Sequence, residues 1–324
     1  MFRRGRIILV LMALVVTINL ANLAVRQSYD GPGALGVTKN VVVPPGGIMA
    51  VAATLARAGV IRYRLVFEMA AWITRDQGPL RAGEYRFIAH GSLRRVLHTL
   101  RFGPVVQHKA TIPEGLTSTQ IAAIINALPR ATGHIAPPPE GSVLPQTYDY
   151  TYHTARSAIL ARMQRAMRKA LATAWAHRAA GLPLTSPDQA VTLASIVQLE
   201  TPIAAELPLI AGVYENRLER HMKLQADPTV IFAVTHGQAT ALTHRVDDHD
   251  LAIDSPYNTY RHHGLPPGPI AAPGITAIDA VLHPATTDDL YFVATGTGGH
   301  AFSRSFKGQL ANIARYQART LRHP

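Results

Sequence analysis

Apolar and polar positions along the chain fall into three regimes. Residues 7–25, IILVLMALVVTINLANLAV, form one nearly unbroken apolar run, long enough to cross a bilayer as a helix and interrupted only by Thr17, Asn19 and Asn22. No later run approaches that length. From residue 39 to 112 short segments change period quickly. Residues 40–43 and 81–87 read as strands, 48–58, 63–73 and 92–100 carry helical spacing, and 105–112 alternates enough for a strand. After residue 113 the helical period dominates, with helices expected over 118–128, 153–180, from 186, over 206–222, over 272–282 and over 306–321. Two strands, 289–294 and 300–303, flank a glycine turn at 295–299.

Breaks separate these regimes. Residues 27–38, QSYDGPGALGVT, read as a linker, Ala136-Pro137-Pro138-Pro139 marks a boundary, and Gly181 with Pro183 stops the long helix. Residues 225–229 read as a turn because Asp227 precedes Pro228. Residues 236–250 read as a polar loop, and 257–270 as a rigid Gly- and Pro-rich loop of the kind on which sites are built. The fold class that follows is α+β: one transmembrane helix, a small α+β module and a larger, mostly helical domain. The size and element order of the small module resemble a LysM-like glycan-binding module. The expected layout is 1–26 amino terminus and anchor, 27–38 linker, 39–112 LysM-like module and 113–324 the larger domain.

One acid stands out in this pattern. Ser186, followed by Pro187 and Gln189, is a helix start, since a hydroxyl caps free amides and proline loses nothing at the first helical position. Counting along that helix, Glu200 shares a face with Leu193, Ile196, Val197 and Ile203. Desolvation there penalises the ionised carboxylate, raising its pKa and fitting it for general acid work. The alternative is a buried structural glutamate satisfied by a backbone donor or by Arg217 or Arg220. Glu114 has a structural alternative too, as a carboxylate at a helix amino terminus.

Composition narrows the setting. The 324 residues carry a formal net charge of +12, which calls for an anionic partner: nucleic acid, acidic lipid or a carboxylate-bearing wall polymer. There is no cysteine, which excludes disulfides, thiol nucleophiles and thiolate metal sites. Arg3, Arg4 and Arg6 precede the apolar run and only Arg26 directly follows it, so the positive-inside rule places the remainder outside the cytoplasm. A cleaved signal peptide is the alternative to a retained anchor. His236, His244, Asp247, Asp248 and His249 lie close in sequence, but no H-E-x-x-H accompanies them, and a solvated loop explains them better than a metal site; no cofactor is expected.

Several ordered motifs carry a family resemblance. LASIVQLET (193–201), NRL (216–218), LQADPTVIFAV (224–234), SPYNTY (255–260), GLPPGPIAAPG (264–274) and LYFVATGTGGHAFS (290–303), with RAGEYRF, IPEG and EGSVLPQTY upstream, resemble the endolytic murein transglycosylases, or YceG-like proteins. The resemblance implies cleavage of the MurNAc-β-1,4-GlcNAc bond inside nascent peptidoglycan strands, leaving a 1,6-anhydroMurNAc end and terminating glycan elongation. It puts the family's catalytic glutamate on Glu200. Gln225, Asp227, Thr229, Asn258, Thr259, Tyr260 and His300, within the same motifs, are the expected substrate-binding residues.

Two positions depart from the family pattern: Gln198 and Gln146 stand where acids often occur, so neither is assigned catalytic work. The implied partners are glycan strands, the cytoplasmic membrane and cell-wall synthases, with no nucleic acid in that compartment. An internal C6 hydroxyl needs no second carboxylate to activate water, so one acid suffices for a lytic reaction. Asn258 and Gln225 have turn and cap duties as their alternative, and Tyr257, Tyr260 and Phe302 either stack on sugars or fill core. A non-catalytic, anchored glycan-binding scaffold is the rival reading of the whole chain.

Overall fold

The structure is a computed structural model describing residues 2–320; residues 1 and 321–324, and the side chains of 2–10, 21, 22 and 320, lie outside it. The side chains of Arg3, Arg4 and Arg6, and the expected helix end at Leu321, thus fall outside the described residues. The chain is mixed helix and sheet and divides into two compact units, Met1–His108 with Asp149–Thr154, and Lys109–Tyr148 with Ala155–Pro324.

The first unit begins with helix α1 (Phe2–Asp30), the one helix among the described residues long and apolar enough to cross a membrane. It continues four residues into the stretch read as linker. Beyond it, Leu35 is already buried in the unit's core. Strand β1 (Lys39–Val43), helices α2 (Ile48–Arg57) and α3 (Arg64–Ile73), strand β2 (Gly83–Phe87) and helix α4 (Leu93–Phe102) follow in the order the changing periodicity indicates. β1 and β2 pair antiparallel from Lys39↔Phe87 to Val43↔Gly83. Val43, Leu55, Phe67, Tyr85 and Leu100 form the core beneath them. Arg101 is buried there, its guanidinium donating to the carbonyls of Ala71 and Gly78 and to Thr74 at the end of α3, where the helix dipole favours a cation.

Strands β3 (Gln107–Thr111) and β4 (Thr147–Thr151) form a second two-stranded sheet, and the division between units falls within both strands. In the second unit, helix α5 (Ser118–Ala127) starts on a capping box made by Thr117 and Gln120. Helix α6 (Arg156–Ala176) is shorter than the 153–180 its apolar spacing suggests. It ends before Gly181, at His177, whose backbone leaves the helical region and whose Nδ1 sits 2.8 Å from the Thr173 carbonyl.

The centre of this unit is α7 (Pro187–Glu200). Ser186 accepts a hydrogen bond from the Gln189 amide and Pro187 occupies the first turn, as the sequence dictates. Every residue from Ala190 to Val197 is buried, so this helix is covered on all sides. Helix α8 (Leu207–Glu219), preceded by a 3-10 turn at Ala204–Glu206, supplies Ile210, Ala211 and Tyr214 to the same core. Helix α9 (Asp227–Thr235) starts where a turn is expected: Pro228 sits in its first turn, where its missing amide would have no partner anyway. Helix α10 (Asp248–Leu251) interrupts the expected polar loop and is capped by Asp247. Helix α11 (Ile275–Leu282) contributes Ala277, Ile278 and Val281 to the core around α7. Strands β5 (Tyr291–Ala294) and β6 (His300–Ser303) form the predicted hairpin, and α12 (Phe306–Thr320) follows.

Candidate active site

α7 stops at Glu200 because Thr201 precedes Pro202 and is driven to an extended backbone, φ −149° and ψ 138°. This overturns one part of the spacing argument. Leu193, Ile196 and Val197 behind the acid are fully buried, but Ile203 lies beyond the helix and is 37% exposed. Glu200 therefore sits at the carboxyl end of a buried helix, with aliphatic packing behind it and part of its surface still open. That combination suits a group that must hold a proton and pass it on.

The carboxyl is held from α8. Tyr214, itself buried, donates its phenolic hydrogen to Glu200 Oε1. Burial pushes the Glu200 pKa up, the Tyr214 hydrogen bond opposes it, the Asp227 charge pushes up again, and Arg217 pulls down, leaving it at about 7. The helix dipole acts in the same direction as burial, since a carboxylate is disfavoured at a carboxyl terminus. The Tyr214 phenol is raised as well, by burial and by its anionic partner, so it stays a donor. Phe292 of β5 packs edge-on to Tyr214 at 5.7 Å and fixes the ring.

Arg217, one turn after Tyr214, is not the ion-pair partner that a structural glutamate would need. Its guanidinium donates to the carbonyls of Leu290 at 2.7 Å, Leu224 at 2.6 Å and Lys223 at 3.3 Å. No salt bridge to Glu200 occurs among the described residues. Arg217 instead ties the loop before α9 to the hairpin. In that loop Gln225 adopts φ 49°, a left-handed conformation uncommon for a side-chain-bearing residue outside functional turns. The Gln225 amide donates to Thr259 O at 3.2 Å, and the Ala226 amide to Thr259 Oγ1 at 3.0 Å.

Asp227, exposed at the start of α9, faces this carboxyl closely enough to perturb it. Tyr260 donates its hydroxyl to Asp227 Oδ1 at 2.5 Å. Asn258 is wholly buried: its Nδ2 donates to the carbonyls of Leu251 and Ile253, and its Oδ1 accepts from the Tyr260 amide. Thr229 and Thr259 are buried against each other, Oγ1 to Oγ1 2.8 Å. These three expected substrate contacts therefore lie beneath the site. Buried hydrogen-bonding groups spent on backbone partners have no capacity left for a sugar, and here they set Tyr260 and the Gln225 turn. Gln225, Asp227 and Tyr260 keep exposed surface.

His300 is engaged on the other flank. Its Nδ1 and its amide both lie 2.8 Å from the Glu206 carboxylate, which also accepts from Thr201 Oγ1 at 3.1 Å. His300 thus holds the residue next to Glu200 through Glu206. Gly299, at φ 80°, permits the close approach, because a Cβ there would stand 2.5 Å from Glu206 Oε1. Burial would raise the Glu206 pKa, but these hydrogen bonds outweigh it and hold the carboxyl below its ordinary value.

Gln198, at the position where the family often has an acid, accepts from the Gly274 amide at 2.9 Å and so caps α11. Glu114 lies beside the same cap: a Cβ on Gly274 would stand 2.0 Å from its Oε1. The helix amino terminus it meets is α11 rather than the α5 that follows it in sequence. Gln146 is exposed, and its carbonyl accepts from Ile112. Glu140 accepts from the Ser118 amide and hydroxyl and anchors the start of α5, with burial raising its pKa against those bonds.

Glu215, pushed up to about 8 by burial and by Glu219, is the other strongly perturbed acid, but it is buried and has no phenol holding it. His244, Asp247 and Asp250 converge, with ligand atoms within 4.8 Å of one another. Their hydrogen bonds already account for that arrangement: Asp247 caps α10, and Asp250 accepts from His244 at 2.9 Å and from the Asp247 amide at 3.1 Å.

A single proton-carrying carboxyl gripped by a phenol, with a second phenol-bound acid nearby, is an arrangement able to give and take a proton, as cleavage of a glycosidic bond requires. The chain belongs to the YceG-like family, whose family model matches residues 41–315. It is 31% identical over 304 residues to the endolytic murein transglycosylase of Bacillus subtilis, covering 83% of this chain and 82% of that one. It is 29% identical to the endolytic murein transglycosylase of Streptococcus pneumoniae over 81% of this chain, where it spans 55% of the relative's length. A crystal structure of a YceG-like protein from Listeria monocytogenes superposes with a TM-score of 0.52 at 26% identity, covering 85% of this chain and 98% of that one.

Proposed function

We propose that this protein is a membrane-anchored lytic transglycosylase that cleaves the MurNAc-β-1,4-GlcNAc bond within nascent glycan strands and so ends their elongation. The observation carrying this reading is the Glu200 carboxyl, raised to about 7 by burial and held by Tyr214 instead of by a cation. Protonated Glu200 gives its proton to the departing GlcNAc O4 as the C1–O4 bond breaks. The C6 hydroxyl of the same MurNAc then closes on C1, and Glu200, now a carboxylate, takes the hydroxyl proton. Asp227, fixed by Tyr260, offers negative charge to the oxocarbenium-like centre between these steps.

In this reading residues 39–112 serve as a LysM-like glycan-binding module and 113–324 as the catalytic domain. Helix α1 holds both outside the cytoplasmic membrane, within reach of cell-wall synthases. The relatives' names, which place the same activity on proteins matching over most of this chain, support it.

The position of Asp227 supports one other reading, hydrolysis, because water-activating or nucleophilic chemistry needs a second carboxylate close to the acid. Product ends separate the two. Incubating purified murein strands with the protein and analysing the fragments by mass spectrometry should yield 1,6-anhydroMurNAc ends. Reducing ends would make the enzyme a hydrolase, and an intact polymer would leave a binding scaffold.

The pH profile tests the acid itself. Since Glu200 must start protonated, kcat/KM should fall as pH rises through about 7. Tyr214→Phe removes a hydrogen bond that lowers this pKa, so the fall moves to higher pH; Asp227→Asn removes a charge that raises it, so the fall moves to lower pH. Shifts of the same sign in both variants would break the assignment.

A further inference from the structure

Helix α3 is apolar on two faces. Phe67 and Ala71 enter the core, while Leu65, Met69, Trp72 and Ile73, at i, i+4, i+7 and i+8, form a separate stripe that is 56–67% exposed. A helix with apolar character on both sides ordinarily has both sides covered, and patches of this kind mark contact with protein or membrane. Phe102 of α4 extends the patch.

The neighbouring helix says what covers it. A groove of about 840 Å³ runs between α1 and this region, walled on one side by Ala24, Val25, Ser28 and Tyr29 of α1 and on the other by Met69 and Ile73. A bilayer core of about 30 Å takes up roughly 20 helical residues, so an apolar run over 7–25 puts Ala24 and Val25 at the hydrocarbon edge and Ser28 and Tyr29 among headgroups. Met69 and Ile73 of the α3 stripe lie across the groove from that level. Arg94 ties α4 to α1, 2.8 Å from Asp30 and 5.3 Å from the Tyr29 ring, and Arg75 lies 4.4 Å over Trp72. Cations beside aromatic rings at the end of a span are the residues that meet lipid phosphates.

We infer that the exposed stripe of α3, with Phe102, docks into the outer surface of the membrane in which α1 is anchored, taking lipid acyl chains against Leu65, Met69, Trp72 and Ile73 and phosphates at the arginines. This rests on the anchoring proposed above. It adds that the first unit lies on the lipid surface instead of standing away from it on a free tether.

Tryptophan fluorescence of the full chain in vesicles of phosphatidylethanolamine and phosphatidylglycerol tests this, because the chain has only two tryptophans. In Trp175→Phe, Trp72 should be quenched by lipids brominated near the headgroup end of the chain and should lose most of its quenching by aqueous acrylamide. The same signal is read in the unaltered chain as the bromolipid quenching lost in Trp72→Phe. A third protein, Trp72→Phe/Trp175→Phe with Leu20→Trp, reports the span. If that one is quenched by bromolipid while Trp72 stays open to acrylamide, the docking is wrong and the anchor stands. If neither is quenched, the anchor fails and the docking with it.

Discussion

Glu200→Gln should abolish glycan cleavage, by at least about 1,000-fold, while leaving the second unit folded. The amide keeps the shape and can still accept the Tyr214 hydrogen bond, but it has no proton to give and cannot take one back. The same substitution should change stability in a direction only a perturbed acid produces. Because the folded carboxyl titrates at about 7 against an ordinary 4.5, folding favours its protonated form. Its stabilising contribution is complete below pH 4.5 and is lost as pH rises through 7. The wild-type unit should therefore lose on the order of 2 kcal/mol between pH 5 and pH 8 through this group, discounted for its partial exposure, and the Gln variant should not. Urea denaturation at the two pH values, beside product analysis on murein strands, reads both effects. Undiminished turnover would remove Glu200 from the proton transfer, and parallel pH dependence in the two proteins would remove its raised pKa.

The largest stability effect is expected at Arg217. Replacing it with Met keeps the volume roughly, but strips donors from the carbonyls of Leu290, Leu224 and Lys223 around a side chain that is 7% exposed. Buried acceptors left without partners cost about 1–3 kcal/mol each, so a total loss of about 3–5 kcal/mol is expected, a large share of what holds a domain together. Arg217→Lys should recover little, since a single ammonium cannot span carbonyls arranged for a planar fork. A denaturation midpoint that moves only slightly in Arg217→Met would show that these carbonyls find other partners. If instead the variant folds, the Glu200 pKa should rise, because Arg217 is one of the two influences lowering it.

Much of the candidate site is legible in the sequence. The apolar neighbours at Leu193, Ile196 and Val197 identified Glu200 as an expensive acid, and Ser186-Pro187 fixed where its helix begins. The motifs point to Asp227 and Tyr260 as contacts, and both retain surface. What the motifs did not reveal was how the residues divide their work. Asn258, Thr229 and Thr259 belong to the same conspicuous segments as Asp227 and Tyr260, yet they face inward and brace the turn that presents them. Tyr214 carries no signal at all: it is one tyrosine in a mostly buried helix, fourteen positions from the acid it holds.

Sequence alone determined the elements whose cause is local: the apolar run of α1, the cap and proline that begin α7, the hairpin at its glycine turn, and the desolvated position of one glutamate. These depend on spacing and backbone preference, which neighbours in the chain supply. Tertiary packing decided the rest. It joined Glu200 to Tyr214 by laying α8 against α7, set Asp227 nearby by pinning Gln225 in a left-handed turn, and used Thr259 and His300 as braces. Such pairings join residues fourteen to ninety-four positions apart, and a hydrogen bond across that separation depends on how helices pack, which no local pattern encodes.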